Sequence, residues 1–330
     1  MLLILYIVLL VLLFAALVFV LWLGYMSYIS KLFRQIFARK APVPKVDRSP
    51  VKIDQKTVFG RGKNWFYTTR REYLNVRIDS FDGVKLSGYF RPSADRSSRY
   101  AVILMHAHDE HPTETAAYAR LMMHQIECHV LIAHERAHQM STGNYSTYGI
   151  YESVDLVRWT EFIKRQVGHD VRIFIVGRGI GATAALLAAQ QNDFPSEAAG
   201  IIADSPLTDL EGYVTHEVNR QRGLKSSMVI RSLDKRFADK FNTGFVTGNV
   251  IKGAARIRVP ILLLSGADDN ITPPGGIREL YDDLRCQKRL VTVDRAEHLM
   301  AYDKAPATVE REVRSFVEHC VVRLVSIGKM

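Results

Sequence analysis

Residues Val171 to Gln191, VRIFIVGRGIGATAALLAAQQ, pass from an apolar β-branched run to an Ala/Leu-rich run across a five-residue turn. Val171 to Val176 reads as a buried parallel strand, because its apolar residues are continuous rather than alternating. Glycines at 177, 179 and 181 then permit a sharp turn, and Ala182 to Gln191 reads as a buried helix. A strand that turns abruptly into a helix presents the middle residue of the turn at the strand's C-terminal end, where an elbow would hold a nucleophile. Here that residue is Gly179, which has no side chain to react.

The 330 residues can hold one large domain plus an anchor. Cys128, Cys286 and Cys320 are far apart, odd in number and without a C-x-x-C, which argues against a disulfide framework or a thiolate zinc site and fits a reducing compartment. The net charge of +10 is concentrated: residues 31–71 hold twelve Lys/Arg against Asp47 and Asp54, which accounts for all of it. A neutral body with one basic segment beside an apolar stretch points to a membrane surface and away from nucleic acid.

Met1 to Ser30 carries no charged side chain, longer than the roughly 20 residues that cross a bilayer. Without a basic n-region it reads as a permanent single span, residues 1–30, rather than a cleaved signal. Trp22, Tyr25 and Tyr28 fit an interfacial aromatic belt. Lys31, Arg34, Arg39 and Lys40 follow at once, so the positive-inside rule puts the body on the cytoplasmic side of the cell membrane. Residues 31–71 read as a basic juxtamembrane linker, with Leu32, Phe33, Ile36 and Phe37 either in an interfacial helix or in a continuation of the span. Pro42, Pro44 and Pro50 then mark a linker.

The body, residues 72–330, opens with strands Tyr73–Ile78 and Val84–Phe90 around an Asp82-Gly83 turn. Strands are expected at Tyr100–Met105, His129–Ala133, Gly200–Ala203, Ile261–Ser265 and Leu290–Val293. Helices are expected at Thr113–Gln125, Tyr151–Val167, Gly276–Leu284 and Ala307–Val325. This alternation predicts an α/β fold, a mostly parallel twisted sheet with helices on both faces. Residues 206–258 read as a helical insertion.

Two loops after the turn add to it. Gly266-Ala267-Asp268-Asp269-Asn270-Ile271-Thr272-Pro273 follows one strand, and Ala296-Glu297-His298 follows the next. With the elbow-like turn, they resemble the acid and histidine loops of the α/β-hydrolase family, in the order nucleophile, acid, histidine. Residues 79–316 resemble bacterial single-span, membrane-anchored α/β-hydrolases, esterase- or acyl-hydrolase-like. The likeness runs through Val102-Ile103-Leu104-Met105-His106, Arg136-Ala137-His138, Ser141-x-Gly143 and Ala203-Asp204-Ser205. It implies that His298 would take a proton from a nucleophile at 179, that Asp269 would orient the imidazole, and that the backbone N–H groups of His108 and Ile180 would bind an oxyanion. It implies no cofactor. The insertion would be the cap that shapes an acyl pocket; Leu224, Met228, Val229 and Leu233 could line it, although core packing is the simpler role for each.

Three departures set this chain apart. The family's His-Gly is His106-Ala107, its Arg-x-His-Gly ends at Gln139, and its nucleophilic serine is Gly179. Losses at three functional turns predict a decayed activity. Ser205, with no elbow to present it, reads as a turn hydroxyl. Two rival readings remain. Gly177-x-Gly179-x-x-Ala182 with Asp204 fits a dinucleotide fingerprint. His106-x-His108-x-Glu110-His111 approaches a metal-binding pattern. The expectation is a membrane-anchored pseudo-hydrolase that binds an acyl or lipid-like molecule or a membrane-protein partner, with lipids held by the span and basic linker. The alternative is a residual esterase or thioesterase.

Overall fold

The computed structural model describes residues 1–44, 53–222 and 227–326. The chain divides into two units, Met1–Ala38 with Val214–Gly244, and Arg39–Tyr213 with Phe245–Met330. In order, the elements are α1 (Leu2–Phe37), α2 (Val58–Thr68), β1 (Leu74–Asp79), β2 (Lys85–Arg91), β3 (Tyr100–Met105), α3 (Ala116–Gln125), β4 (His129–Ala133), α4 (Ile150–Val167) and β5 (Arg172–Arg178). Then follow α5 (Ile180–Ala189), β6 (Ala198–Asp204), α6 (Leu210–Arg222), α7 (Ser227–Phe241), β7 (Ile261–Gly266), α8 (Pro274–Asp283), β8 (Lys288–Val293), α9 (Ala301–Lys304) and α10 (Pro306–Ser326).

The larger unit is built on one eight-stranded sheet in the order β1-β2-β4-β3-β5-β6-β7-β8. β2 is antiparallel to both β1 and β4, and the remaining pairs are parallel. Alternate strand residues serve opposite faces. Val102, Leu104, Val130, Ile132, Phe174 and Val176 pack with residues of α2, α3 and α10. Their neighbours Ile103, Leu131 and Ile175, equally buried, belong to the other face, where α4 and α5 lie together. Central strands covered on both sides must be apolar throughout, which is why β3 to β7 lack alternation.

The basic stretch is more ordered than a linker. α1 continues without a break to Phe37, and Leu32, Phe33, Ile36 and Phe37 on it are buried. Arg39 is a docked side chain rather than a free surface charge: its guanidinium donates to the carbonyls of Gln139 and Ser141, and its N–H to Asn144 O at 2.8 Å. Thr57 caps α2 by accepting from Gly60 N at 2.9 Å, and α2 buries Phe59 and Phe66. A linker spanning all of 31–71 is therefore corrected: α2 carries the basic residues Arg61 and Lys63, but its aromatic face belongs to the core. Pro50 and its neighbours lie outside the described residues.

In the smaller unit α7 packs along the C-terminal half of α1. Val229, Leu233, Phe237 and Phe241 form an i, i+4 stripe, buried throughout, in which Phe237 meets Phe37 at 5.0 Å and Phe241 meets Phe33 at 6.4 Å between ring centroids. Val229 and Leu233 thus serve helix packing instead of an acyl pocket. Met228 is 60% exposed, and Leu224 lies outside the described residues.

Candidate functional site

β5 ends at Arg178 and α5 starts at Ile180, leaving Gly179 alone to make the turn. Its φ of 51° and ψ of −117° lie where side chains are disfavoured and glycine is not. Tight packing fixes the flanks. A Cβ on Gly177 would meet Ala182 N at 2.4 Å, and one on Gly181 would meet Met105 O at 2.6 Å. The expected helix start at Ala182 is two residues late, because the turn needs only one residue.

The acid and histidine loops meet this turn. Asp269 is buried and its Oδ2 accepts from His298 Nδ1 at 2.8 Å. Thr272 Oγ1 donates to the same oxygen at 2.6 Å, while the N–H groups of Ile271 and Thr272 donate to Oδ1 at 2.9 and 2.7 Å. Burial acts to raise the carboxyl, but the His298 hydrogen bond and charge, with the Thr272 donors, hold it below the ordinary aspartate range. The other ring nitrogen of His298, Nε2, lies 4.0 Å from where a Cβ on residue 179 would stand. An oxygen one bond beyond that Cβ comes within hydrogen-bond reach of Nε2. Gly179, Asp269 and His298 are therefore brought together in the arrangement of a triad lacking its hydroxyl.

Ala107 matters for a second reason. The same Cβ position at 179 is only 2.9 Å from the Ala107 Cβ and 3.5 Å from its Cα. Ala107 thus fills the space a serine side chain needs, and a glycine at 107 would leave only an ordinary contact. The two positions are sterically coupled: a methyl group at 107 is compatible with a residue at 179 that has no side chain. Beside them, the N–H groups of His108 and Ile180 make no hydrogen bond among the described residues, as donors reserved for an oxyanion would. The third departure, Gln139, has a φ of 40° and is held by Arg39 through its carbonyl.

Arg178, the residue between the first two glycines, carries an ion network that explains both rival motifs. It is buried, donates to Glu110 Oε1 at 2.6 Å, to Asp204 Oδ2 at 3.3 Å and to Leu299 O at 2.9 Å, and stacks 3.7 Å from the Phe59 ring centroid. Tyr118 Oη also donates to Asp204, at 3.0 Å. Asp204, the supposed ribose partner, is thus fully engaged inside the protein, which overturns the dinucleotide reading. Glu110, the supposed metal ligand, is the second counter-ion. Burial pushes its carboxyl above the usual range despite the pull of Arg178.

The histidines do not form a metal cage either. His106 donates from Nδ1 to Ala107 O at 2.7 Å and accepts at Nε2 from Glu135 N at 3.1 Å. His111 is bonded to Thr113, and the ring of His108 stacks on Tyr148 at 4.6 Å. Among the described residues no three His, Cys, Asp or Glu side chains are placed to hold a metal ion. Ser205 is a buried turn residue with φ of 49°; its Oγ accepts from Leu299 N at 3.4 Å. Sequence reasoning missed the network of Arg178, Glu110, Asp204 and Phe59. Its signal was present: an arginine inside an apolar strand-turn needs buried carboxylates.

Sheet order, elbow and loops together define a protein of the α/β-hydrolase fold. Residues 242–305 match the family described as serine aminopeptidase, S33, a segment that includes Asp269 and His298 but not position 179. The chain is 27% identical over 245 residues to the uncharacterized protein YqkD of Bacillus subtilis, covering 73% of this chain and 78% of that one. It is 21% identical over 213 residues to the α/β hydrolase domain-containing protein WAV2 of Arabidopsis thaliana, covering 63% and 66%. In three dimensions it is similar to an esterase of Pyrococcus furiosus, with a TM-score of 0.60 and 22% identity over 84% of this chain and 99% of that one. At such identity the structural likeness speaks for the fold.

Proposed function

We propose that this chain is a membrane-anchored pseudo-hydrolase, which binds an acyl or lipid-like molecule, or a membrane-protein partner, without turning over an ester. The observation that carries the reading is the methyl of Ala107 in the space of the missing side chain at Gly179. A serine alone could not stand there without a shift. The Asp269–His298 pair and the N–H groups of His108 and Ile180, unbonded among the described residues, make a polar site fit for a carbonyl or carboxylate. α1 is long and apolar enough to cross a membrane, and its exposed apolar surface supports an anchor, with the body on the cytoplasmic side.

The test restores what is lost. Purified Ala107→Gly/Gly179→Ser protein should gain fluorophosphonate labelling that His298→Ala abolishes, whereas Gly179→Ser alone should label poorly and the unaltered chain not at all. A second reading rests on the same pair: His298 could activate a water against a bound ester or thioester, as a residual hydrolase. Hydrolysis of short p-nitrophenyl esters by the unaltered chain, lost in His298→Ala, would decide for it and against the first.

A further inference from the structure

The smaller unit holds an element for which the anchor alone gives no role. α7 is amphipathic, and the face opposite its buried stripe exposes Met228, Arg231, Lys235 and Asp239 in succession. Its height along α1 is fixed by side-chain contacts. Tyr25 Oη bonds Ser232 Oγ at 2.8 Å and donates to Met228 O at 3.3 Å. Further along, Phe33 lies beside Phe241, and the Arg236 guanidinium lies 5.6 Å from the Phe33 ring centroid. Residue numbers rise together on the two helices, so they run in the same direction.

The apolar face of α1 calibrates depth. At about 1.5 Å per residue, Leu2 to Leu23 spans about 33 Å, close to the ~30 Å hydrocarbon layer. Trp22, Tyr25 and Tyr28 then fall at the interface, where amphipathic rings settle. Met228, tied to Tyr25 through its carbonyl, lies at that level. Arg231 and Lys235 follow about 4.5 and 10 Å further from the hydrocarbon, at headgroup height, and Asp239 beyond them. Apolar, then cationic, then anionic is the order that an anionic leaflet demands of a helix leaving it.

We infer that α7 is a second membrane contact. Its N-terminal end is seated in the interface of the leaflet from which α1 emerges, with Met228 among the upper acyl segments and Arg231 and Lys235 on anionic lipid phosphates. The inference rests on the proposed anchor. It turns the insertion from a free cap into an element held against lipid, so the unit has two attachments and a fixed rotation about α1.

The full chain, carrying Cys286→Ser so that only the buried Cys128 and Cys320 remain, can be labelled with NBD at Leu13→Cys, Met228→Cys or Asp239→Cys and reconstituted in phosphatidylcholine/phosphatidylglycerol vesicles. The Leu13 probe should be quenched by deep doxyl lipids. The Met228 probe should show blue-shifted emission, quenching by shallow doxyl lipids and loss of iodide quenching, whereas the Asp239 probe should remain open to iodide. Tyr25→Phe, or Arg231→Gln with Lys235→Gln, should return iodide access at 228, the latter only when anionic lipid is present. A deep Leu13 probe with a fully iodide-accessible Met228 probe would overturn the inference and leave the anchor standing. An aqueous Leu13 probe would overturn both.

Discussion

The two sides of the candidate site are built differently. On the β7–β8 side, Asp269, Thr272 and His298 keep every contact a triad needs. On the β3–β5 side, the turn offers no side chain at Gly179, and the methyl group of Ala107 stands against it. The reason lies in what each side does for the fold. The Asp269 carboxylate accepts four hydrogen bonds and organises its loop, so its loss would leave buried donors unpaired. A side chain at 179, by contrast, would sit at a disfavoured φ, a strain of about 1–3 kcal/mol that returns nothing to the fold. On stability alone, glycine is the favoured residue at 179, whereas the Asp269 carboxylate is needed by its own loop.

The largest effect expected from this contrast is chemical. In the Ala107→Gly/Gly179→Ser background, Asp269→Asn should lower esterase kcat by on the order of 10⁴-fold, measured with p-nitrophenyl acetate, if the retained side supplies the histidine with its tautomer and orientation. An equal rate in both would break the comparison. Next in size is the network beneath the turn. Arg178→Met should cost about 3–5 kcal/mol in urea denaturation, since it strands the buried carboxylates of Glu110 and Asp204. A smaller loss would mean that the elbow is held by its glycines alone.

At the turn itself, Gly179→Ala should destabilise the unaltered chain by about 1–3 kcal/mol from strain, plus the clash with Ala107. In an Ala107→Gly background the clash part should vanish, and a thermodynamic cycle over the two positions measures it. Identical costs in both backgrounds would dissociate the two departures. The remaining effect, gradual because it is spread over several units, is on pH. Burial pushes His108 and His134 down to about 3, and lowers His106 well below its ordinary value. Unfolded, these rings bind protons near pH 6.5, so between about pH 6.5 and 3 the unfolded state holds more protons and stability falls as pH falls. Each ring contributes at most about 1.4 kcal/mol per pH unit, so urea midpoints read across that range should drop steadily, and less so in His134→Phe.

Much of this was legible along the chain. The strand-turn-helix at 171–191, the loops around Asp269 and His298 and the apolar first segment were each readable, because local pattern and spacing fix them: a buried strand is apolar throughout, and a tight turn demands glycine. The helix within the basic stretch and the partners of Arg178 were not. Glu110 and Asp204 are 68 and 26 residues from Arg178, and single-chain spacing made each look like part of a different motif.

The sequence by itself determined that the tight turn between strand and helix carries a glycine at its middle, with no side chain to react, because residue identity needs no coordinates. Only the tertiary structure decided that Ala107 fills the vacant space, that Arg178 consumes both suspicious carboxylates and that α7 packs on α1 instead of forming an acyl pocket. Those facts depend on distances between residues far apart in the chain, and such distances are set by how the layers pack, which no local pattern encodes.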